Sequence, residues 1–243
     1  MMQRIGAALA LILVLAPASA RAQIQQVGSS SGAGNSTVNF TLGYFQLRPI
    51  ESRVDEDVLL ANLANFHPLV FEVDDFNSFM AGAEYLYAIG PHFEAGVGVG
   101  YSQRTVQSFY ADLTRPGDVN IEQDLKLKQI PVTFSGRFLF LPRGSSVEPY
   151  IGAGLLAIRY QYSEVGDFID TDLTIFRERF VKDGVALGPT IFGGVRAPVG
   201  NWTVGGEVRW QRAEGKDLFE EGFLGDRLDL GGWTTNFTFG FRF

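Results

Sequence analysis

The chain has 243 residues, of which 27 are acidic and 20 are basic, so its formal net charge is −7. An acidic chain lacks the basic face that a nucleic-acid partner requires, which excludes that class of partner. The absence of cysteine excludes a disulfide framework, a redox dithiol and a thiolate metal site. The length suits one ordered domain or at most two.

Residues 1–22 have the pattern of a secretory signal peptide. Arg4 supplies a positive charge, and residues 5–16 form an apolar stretch that is shorter than the roughly 20 residues of a membrane-spanning helix. Two sites with small residues follow, at 18–20 and 20–22, and either one suits signal-peptide cleavage. We therefore expect the protein to be exported through the inner membrane.

Residues 23–36 are rich in Gln, Ser and Gly and are predicted to form a flexible leader. The longest apolar run after this leader covers residues 151–158 and contains two glycines, so the sequence predicts no membrane-spanning helix there. Residues 37–243 are predicted to form a single domain.

The last eleven residues alternate strictly between two faces, which indicates a β-strand. One face is almost entirely aromatic and consists of Trp233, Thr235, Phe237, Phe239, Phe241 and Phe243. The positions between them are polar or small. Eleven residues is also about the length with which a tilted strand crosses a bilayer, so we predict a transmembrane strand whose aromatic face contacts lipid.

The same period of two recurs upstream, and the predicted strands are 37–48, 79–87, 93–102, 129–140, 149–162, 185–197, 202–211 and 233–243. Three of these strands carry a pair of aromatic residues eight positions apart on one face: Phe79 and Tyr87, Phe93 and Tyr101, Trp202 and Trp210. That spacing spans about 20 Å in a tilted strand, close to the height of a membrane barrel's apolar band. A soluble β-sandwich is the alternative, but it would not place aromatic residues so regularly. The sequence predicts an all-β fold, an eight-stranded antiparallel up-and-down transmembrane β-barrel.

Both faces of the strand at 149–162 are apolar, so alternation alone does not assign its orientation. We predict that Arg159 faces the interior, because a charge is tolerated inside a barrel and is unfavourable against lipid. The residues that would then face lipid are Tyr150, Leu156, Ile158 and Tyr160.

The links between the predicted strands alternate in length. The short links 90–92, 141–147 and 198–201 contain turn-forming residues. The long links 49–75, 108–120, 164–183 and 213–231 hold 21 of the 27 acidic residues but only 7 basic ones. Outer-membrane barrels have short periplasmic turns and longer external loops, so we predict four acidic extracellular loops.

Nine charged residues fall on the faces that are predicted to point inward: Glu84, Glu94, Arg104, Arg137, Arg159, Arg196, Glu207, Arg209 and Arg242. An eight-stranded barrel is only wide enough for side chains to fill its interior. Charges that are buried there must pair with one another. We therefore predict an ion-pair plug that closes the lumen, and a gated ion path is the alternative.

The chain resembles the OmpA-type family of small eight-stranded outer-membrane β-barrels, which includes OmpX-like and OmpW-like proteins. The resemblance lies in the C-terminal aromatic strand that ends at Phe243 and in the strand opening Glu148-Pro149-Tyr150-Ile151-Gly152-Ala153-Gly154. It implies a location in the outer membrane of a Gram-negative bacterium, with lipid, the assembly machinery and periplasmic chaperones as partners. It also implies an assembly signal formed by Trp233, Phe237, Phe239, Phe241 and Phe243. No cofactor is implied.

Residues that could support catalysis or metal binding are few. His92 lies in a short link, whereas His67 lies in the first long link near Glu72, Asp74 and Asp75, where an Asp–His pair could act as a general base. No nucleophile is evident beside it. Three carboxylate clusters, at 55–57, 72–75 and 167–172, lack the spacing and central glycine of an EF-hand loop, so we predict solvated acidic loops and no metal site.

Apolar residues within the long links indicate further structure there. Residues 57–66 have the spacing of a short amphipathic helix, which would lie on the membrane surface or fold over the barrel mouth. Phe176, Phe180, Phe219, Phe223 and Leu224 would form contact surfaces, or the buried side of strands that extend beyond the membrane.

The sequence thus predicts a non-catalytic barrel that contributes to membrane integrity or to surface recognition through its acidic loops. A narrow pore or a channel for small hydrophobic molecules is the first alternative. A lipid-modifying enzyme that uses His67 is the second. The surface ligand is not identified by the sequence.

Overall fold

The computed structural model describes residues 34–170 and 172–243. The predicted signal peptide and the first part of the predicted leader lie outside the described residues. None of the helices in the described part of the chain is long and apolar enough to cross a membrane. The first strand begins at Ser36, the last residue of the predicted leader.

Eight antiparallel strands form a closed barrel, in the order β1-β10-β7-β6-β5-β4-β3-β2. Their bounds are Ser36–Leu47 (β1), Ser78–Ala88 (β2), Phe93–Arg115 (β3), Val119–Leu139 (β4), Glu148–Ile169 (β5), Ile175–Val199 (β6), Trp202–Gln211 (β7) and Gly232–Arg242 (β10). The ring closes where β1 pairs with β10 over eleven residue pairs, from Thr37 with Arg242 to Leu47 with Gly232. The predicted all-β, up-and-down antiparallel barrel is therefore confirmed.

The two ends of the barrel differ. At the short-turn end, brief links join β2 to β3, β4 to β5 and β6 to β7. At the opposite end, here called the extended end, β3 to β6 continue far beyond their neighbours: they contain 21 to 25 residues, against 10 to 12 in β1, β2, β7 and β10. The barrel wall is thus much taller on one side.

The prediction of long loops at 108–120 and 164–183 was wrong, because most of these residues continue the strands. The pairing of β3 with β4 runs to Arg115 and Val119, and a tight turn follows in which Gly117 and Asp118 have positive φ angles of 88° and 60°. In this region apolar residues such as Val106 and Leu125 face inward, and charged residues such as Glu122 and Asp124 face outward. The alternation expected of a lipid-facing strand is therefore inverted.

The other two long links are real. The first loop (residues 48–77) contains α1, Val58–Ala64, and two short 3₁₀ helices. The last loop (residues 212–231) contains a short hairpin formed by β8, Glu214–Gly215, and β9, Leu228–Asp229. The first loop also adds to the edge of β3, because Val70 donates its amide to the carbonyl of Phe109 at 2.9 Å.

The outward faces predicted for seven of the strands are confirmed. They form an apolar band, which is bounded at the extended end by Tyr44, Phe79, Tyr101, Trp210 and Trp233 and at the short-turn end by Tyr87, Phe93, Phe140, Trp202 and Phe241. Within this band Trp202 stacks on Phe239 with ring centroids 4.9 Å apart. Phe237, Phe239 and Phe243 are likewise exposed on the outer surface.

The predicted orientation of β5 was wrong. Tyr150, Leu156, Ile158 and Tyr160 are at most 3% exposed and point inward, whereas Arg159 is exposed on the outer surface. Arg159 lies beyond the apolar band, so the cost of placing a charge against lipid does not apply to it. Tyr160 fills the space that Gly184 and Gly215 leave open, since both glycines lie against its ring.

An apolar core fills the interior of the barrel at the extended end. The strands contribute residues such as Ile121, Leu125 and Ile158, and the two loops contribute residues such as Leu59 and Leu218. Burying apolar surface from the first and last loops against the tall wall stabilises both loops. The extended end is therefore a folded head with its own core.

Candidate functional site

The short helix predicted in the first loop is present as α1. Asp57 caps it, because its side chain accepts a hydrogen bond from the amide of Leu59 at 3.0 Å. Val58 and Leu59 are fully buried in the apolar core. Of the two predicted locations, the helix therefore takes the one at the barrel mouth.

A buried ion pair ties the first loop to the last loop. Arg53 donates two hydrogen bonds to the carboxylate of Asp57, at 3.1 and 2.9 Å, and one to the carbonyl of Asp229 at 2.9 Å. Asp57 also accepts a hydrogen bond of 2.6 Å from the amide of Asp229, whose carboxylate pairs with Arg48 at 3.0 Å. We call these four residues the loop clip. Asp57 is thus occupied by structural contacts.

Asp57→Asn should loosen both loops without unfolding the barrel. The amide keeps the helix cap but removes the charge that balances Arg53, and we expect a loss of about 1–2 kcal/mol of local stability. Limited proteolysis of the folded protein should show faster cleavage within residues 49–75. Asp55→Asn, an exposed neighbour with the same change, is the control. Equal cleavage rates for the two variants would contradict this role of the clip.

Four of the predicted plug residues form one ion-pair layer inside the apolar band. Arg137 pairs with Glu84 and also with Glu207, the latter at 3.2 Å. Arg209 donates to the other oxygen of Glu207 at 2.9 Å, and Tyr150 donates its hydroxyl to Glu207 at 3.1 Å. The guanidinium of Arg137 also lies over the Tyr150 ring, 4.7 Å from its centroid. We call Glu84, Arg137, Glu207 and Arg209 the middle layer.

Three more plug residues form a second layer nearer the short-turn end. Arg196 joins Glu94 at 2.6 Å to Glu148 at 2.7 Å, and Arg242 pairs with Glu148 at 2.5 Å. Arg143 lies 3.6 Å from Glu94. Glu148 and Arg143 were not predicted. Glu148 shares the inward face of β5 with Tyr150, so a correct orientation of that strand would have identified it, whereas nothing in the sequence pattern marks Arg143.

The other two predicted plug residues, Arg104 and Arg159, were placed wrongly. Arg159 points outward, as described above. Arg104 has the inward parity of its strand but lies beyond the ion-pair layers, where it is exposed and donates a hydrogen bond of 2.8 Å to the carbonyl of Asp75. Both residues lie in strand extensions that the sequence analysis did not separate from the membrane-spanning part.

Side chains fill the lumen from end to end. The residues of the two predicted layers are buried apart from Arg209, whose side chain is 15% exposed, and a cavity of about 60 Å³ lies beside the middle layer, between Glu84, Arg209 and Asn236. Above it the apolar core begins. Of the two predicted interpretations, this arrangement favours a closed plug over an ion path.

The two histidines have ordinary structural partners. The Nδ1 atom of His67 lies 2.9 Å from a carboxylate oxygen of Asp112 on β3, rather than pairing with the carboxylates near it in sequence. Glu72 and Asp75 instead cap the 3₁₀ helix Val73–Phe76. His92 forms a 2.9 Å hydrogen bond with the carbonyl of Leu139. In the described residues, no hydroxyl group forms a hydrogen bond with either histidine.

The carboxylate clusters are likewise dispersed. Asp167 pairs with Arg115 at 2.7 Å, and Asp172 accepts a hydrogen bond of 2.9 Å from the amide of Thr174. Hydrogen bonding from the Thr174 hydroxyl, together with that from its amide, lowers the pKa of Asp172 below its ordinary value. Over residues 34–170 and 172–243, no group of three or more carboxylates or histidines is arranged to hold a metal ion.

A second cavity, of about 180 Å³, lies in the head, and we call it the Glu164 cavity. Glu164 is 4% exposed, and one of its oxygens, Oε1, accepts hydrogen bonds from the side-chain amide of Asn62 at 2.6 Å and from the hydroxyl of Tyr162 at 2.9 Å. Phe168 and Phe180 line the cavity and meet edge to face, with centroids 4.8 Å apart. The sequence analysis did not identify Glu164 as a candidate.

Phe176 and Phe180 belong to β6, so they lie on a strand that extends beyond the apolar band. Phe168 stacks on Phe176 across the β5–β6 pair, and Phe180 contacts Phe223 of the last loop. The second interpretation, the buried side of strands that extend beyond the membrane, therefore holds for Phe180, which packs against the apolar core, whereas Phe176 remains exposed.

Burial raises the pKa of Glu164, although the hydrogen bonds from Asn62 and Tyr162 partly oppose this effect. A carboxyl group whose folded-state pKa is raised stabilises the fold fully below its unfolded-state pKa, and that contribution is lost as the pH rises through the folded-state value. Glu164→Gln keeps an acceptor for both donors. We expect this variant to match the wild type at about pH 4 and to be more stable at about pH 8.

Thermal unfolding in detergent across this range measures the effect. Glu122→Gln, at an exposed position of β4, is the control and should leave the pH dependence unchanged. A stability difference between wild type and Glu164→Gln that stays constant with pH would contradict the prediction.

No protein-family model matches the chain, and the comparison with curated proteins gave no match. Among solved structures, the chain is similar to Neisserial surface protein A, with 14% identity and a TM-score of 0.48, over 87% of this chain and 99% of that one. It is similar to the N-terminal β-barrel domain of Pseudomonas aeruginosa OprF, with 14% identity and a TM-score of 0.36, over 87% and 99%. It is also similar to Ail, the attachment invasion locus protein of Yersinia pestis, with 12% identity and a TM-score of 0.41, over 87% and 99%. These TM-scores lie below 0.5, so the assignment of the fold rests on the strand pairing of this chain.

Proposed function

We propose that this protein is a closed, non-catalytic outer-membrane β-barrel that presents a rigid head at the cell surface. Its roles would be to contribute to membrane integrity and to carry a recognition surface. The observation that carries this proposal is the occupied lumen, in which two buried ion-pair layers and an apolar core take up the interior of the barrel.

The apolar band supports a membrane location. Large apolar side chains such as Leu42, Leu155 and Leu187 are 65–75% exposed on its outer surface. A protein in water would rarely expose so continuous an apolar surface around its whole circumference. Rings of aromatic residues bound the band on both sides, as they do at the two interfaces of membrane barrels.

Positive residues just beyond the band support an orientation with the head outside. Lys126, Lys128 and Arg159 point outward beside one another on β4 and β5, where they would meet the phosphate groups of the outer leaflet. The ammonium of Lys128 lies over the ring of Tyr101, 5.7 Å from its centroid. The aromatic residues of β10 would serve as the assembly signal for the assembly machinery and periplasmic chaperones.

The head suits recognition because it is folded rather than a set of separate loops. The loop clip and the apolar core hold the first and last loops against the tall β3–β6 wall. A preorganised surface loses less conformational entropy when a partner binds. Most of the acidic residues of the chain lie in this head, so a basic partner is favoured by charge.

Planar-bilayer recordings test the closed lumen. We expect the wild type to show no steady conductance, and the double variant Arg137→Ala, Arg209→Ala to increase the leak, because it opens the middle layer. Arg104→Ala with Arg159→Ala removes the same charge outside the layers and is the control. Steady single-channel conductance in the wild type would instead establish the alternative of a narrow pore.

The enzymatic alternative depends on the exposed His67–Asp112 pair. Under the proposal, lipid A from cells that express the protein is identical to lipid A from cells that express His67→Ala. A modification that depends on His67 would contradict the non-catalytic assignment.

A further inference from the structure

The Glu164 cavity combines a buried carboxylate with aromatic walls. Glu164 projects from β5, and the cavity is lined by Phe168, Phe176, Phe180 and Tyr110. These groups come from three strands that meet only in the folded head. A carboxylate is rarely buried without a compensating charge, because removal from water costs several kcal/mol.

Among the described residues, no lysine or arginine pairs with this carboxylate. The neighbouring titratable groups are Tyr162 on β5, Tyr110 on β3 and His67 in the first loop, and the cavity has no lysine or arginine in its lining. The neighbouring polar groups are the amides of Asn62 on α1 and Gln123 on β4. Both hydrogen bonds to Glu164 end on Oε1, and in the described part of the chain Oε2 accepts none.

The cavity is reachable from outside. Asn65, Phe176 and Leu224 on its rim are exposed. The acidic surface of the head raises the local concentration of cations near this rim.

We propose that the Glu164 cavity binds a small alkylammonium ion, with the cationic group between Glu164 and the aromatic rings. Oε2 would supply the compensating negative charge, and the faces of Phe168 and Phe180 would attract the cation through their quadrupoles. Alkyl groups on the nitrogen match the apolar walls better than the water shell of a metal ion does. The proposal concerns the head alone, so it stands whether or not the barrel conducts.

Choline and 3,3-dimethylbutan-1-ol test the proposal, because the two molecules have nearly the same shape and only choline is charged. The full chain, refolded in maltoside detergent, is titrated with each by calorimetry. Alkylphosphocholine detergents are avoided because they carry the same ammonium group. We expect saturable binding of choline and at least about tenfold weaker binding of the neutral isostere.

Glu164→Gln should weaken choline binding at least about tenfold at neutral pH, while the exposed control Glu122→Gln should leave it unchanged. The affinity of the wild type should rise with pH, because Glu164 must lose its proton to pair with the cation. Heat-dependent gel mobility shows that each variant is folded. Saturation-transfer NMR on the wild type gives a readout that needs no variant, since irradiation of aromatic protons should attenuate the choline methyl signal.

Equal binding of the two isosteres would overturn the proposal. So would the absence of saturable choline binding, or unchanged affinity in folded Glu164→Gln. None of these results would affect the bilayer recordings, so failure here is distinguishable from failure of the closed-barrel function.

Discussion

Arg137→Ala is expected to destabilise the barrel by about 3–5 kcal/mol, the largest effect of any single substitution considered. The guanidinium is 1% exposed and balances Glu84 and Glu207, whose side chains are 6% and 1% exposed. Its removal leaves two carboxylates and one arginine, Arg209, in the middle layer. Neither carboxylate can then reach water without disrupting the packed interior.

Equilibrium unfolding of the refolded barrel by urea, in lipid vesicles, measures this loss. Arg159→Ala removes the same charge from an exposed position of β5 and should change the stability by less than about 0.5 kcal/mol. A further change of Glu84 to Gln in the Arg137→Ala background should restore part of the stability, because it removes one unbalanced charge. Equal stabilities of Arg137→Ala and Arg159→Ala would refute the middle layer.

Phe239→Arg is expected to cost about 2–4 kcal/mol, because it places a charge against lipid near the midplane of the band. Phe239 points outward from β10 and stacks on Trp202. Val208→Arg, on the outward face of β7, should have a similar effect. The same vesicle unfolding experiment applies to both.

Gln103→Arg provides the matched control for these two variants. Gln103 points outward from β3 just beyond Tyr101, outside the apolar band, so arginine there can remain in water. We expect a change within about 0.5 kcal/mol. If Phe239→Arg and Val208→Arg were as harmless as Gln103→Arg, the apolar band would not face lipid.

These two sets of variants probe opposite faces of the same wall. The inward variants measure how much stability the barrel loses when a buried ion pair is broken. The outward variants measure how much stability it loses when a charge is placed against the surrounding medium. Large losses of stability for both sets would support a barrel whose interior is closed by ion pairs and whose outer surface contacts lipid.

Most of the barrel could be predicted from the sequence because its pattern is local. Each membrane-spanning strand faces lipid on one side, and this requirement acts on every second residue independently of which strands are neighbours. This requirement was sufficient to predict the number of strands and the outward faces of seven of them. The middle layer also followed, because Glu84, Arg137, Glu207 and Arg209 all occupy inward positions inside the band.

The errors occurred where the surroundings change along a strand. Beyond the band, water replaces lipid outside the barrel and an apolar core replaces the ion pairs inside it. Apolar residues there point inward and polar residues point outward, which is the reverse of their arrangement within the band. This inversion explains the wrong orientation of β5 and the loops that proved to be strands. It also explains why Arg104 and Arg159 lie outside the ion-pair layers.

The sequence by itself determined the class of fold, the strand count and the residues of the apolar band on seven of the eight strands, because the period of two and the lipid environment act over a few residues. The tertiary structure alone decided which charges pair and which side chains form the head. Arg53 meets Asp229 across 176 positions and Asn62 meets Glu164 across 102. Contacts over such separations depend on how far the strands extend and how the two loops fold between them, which no local pattern encodes.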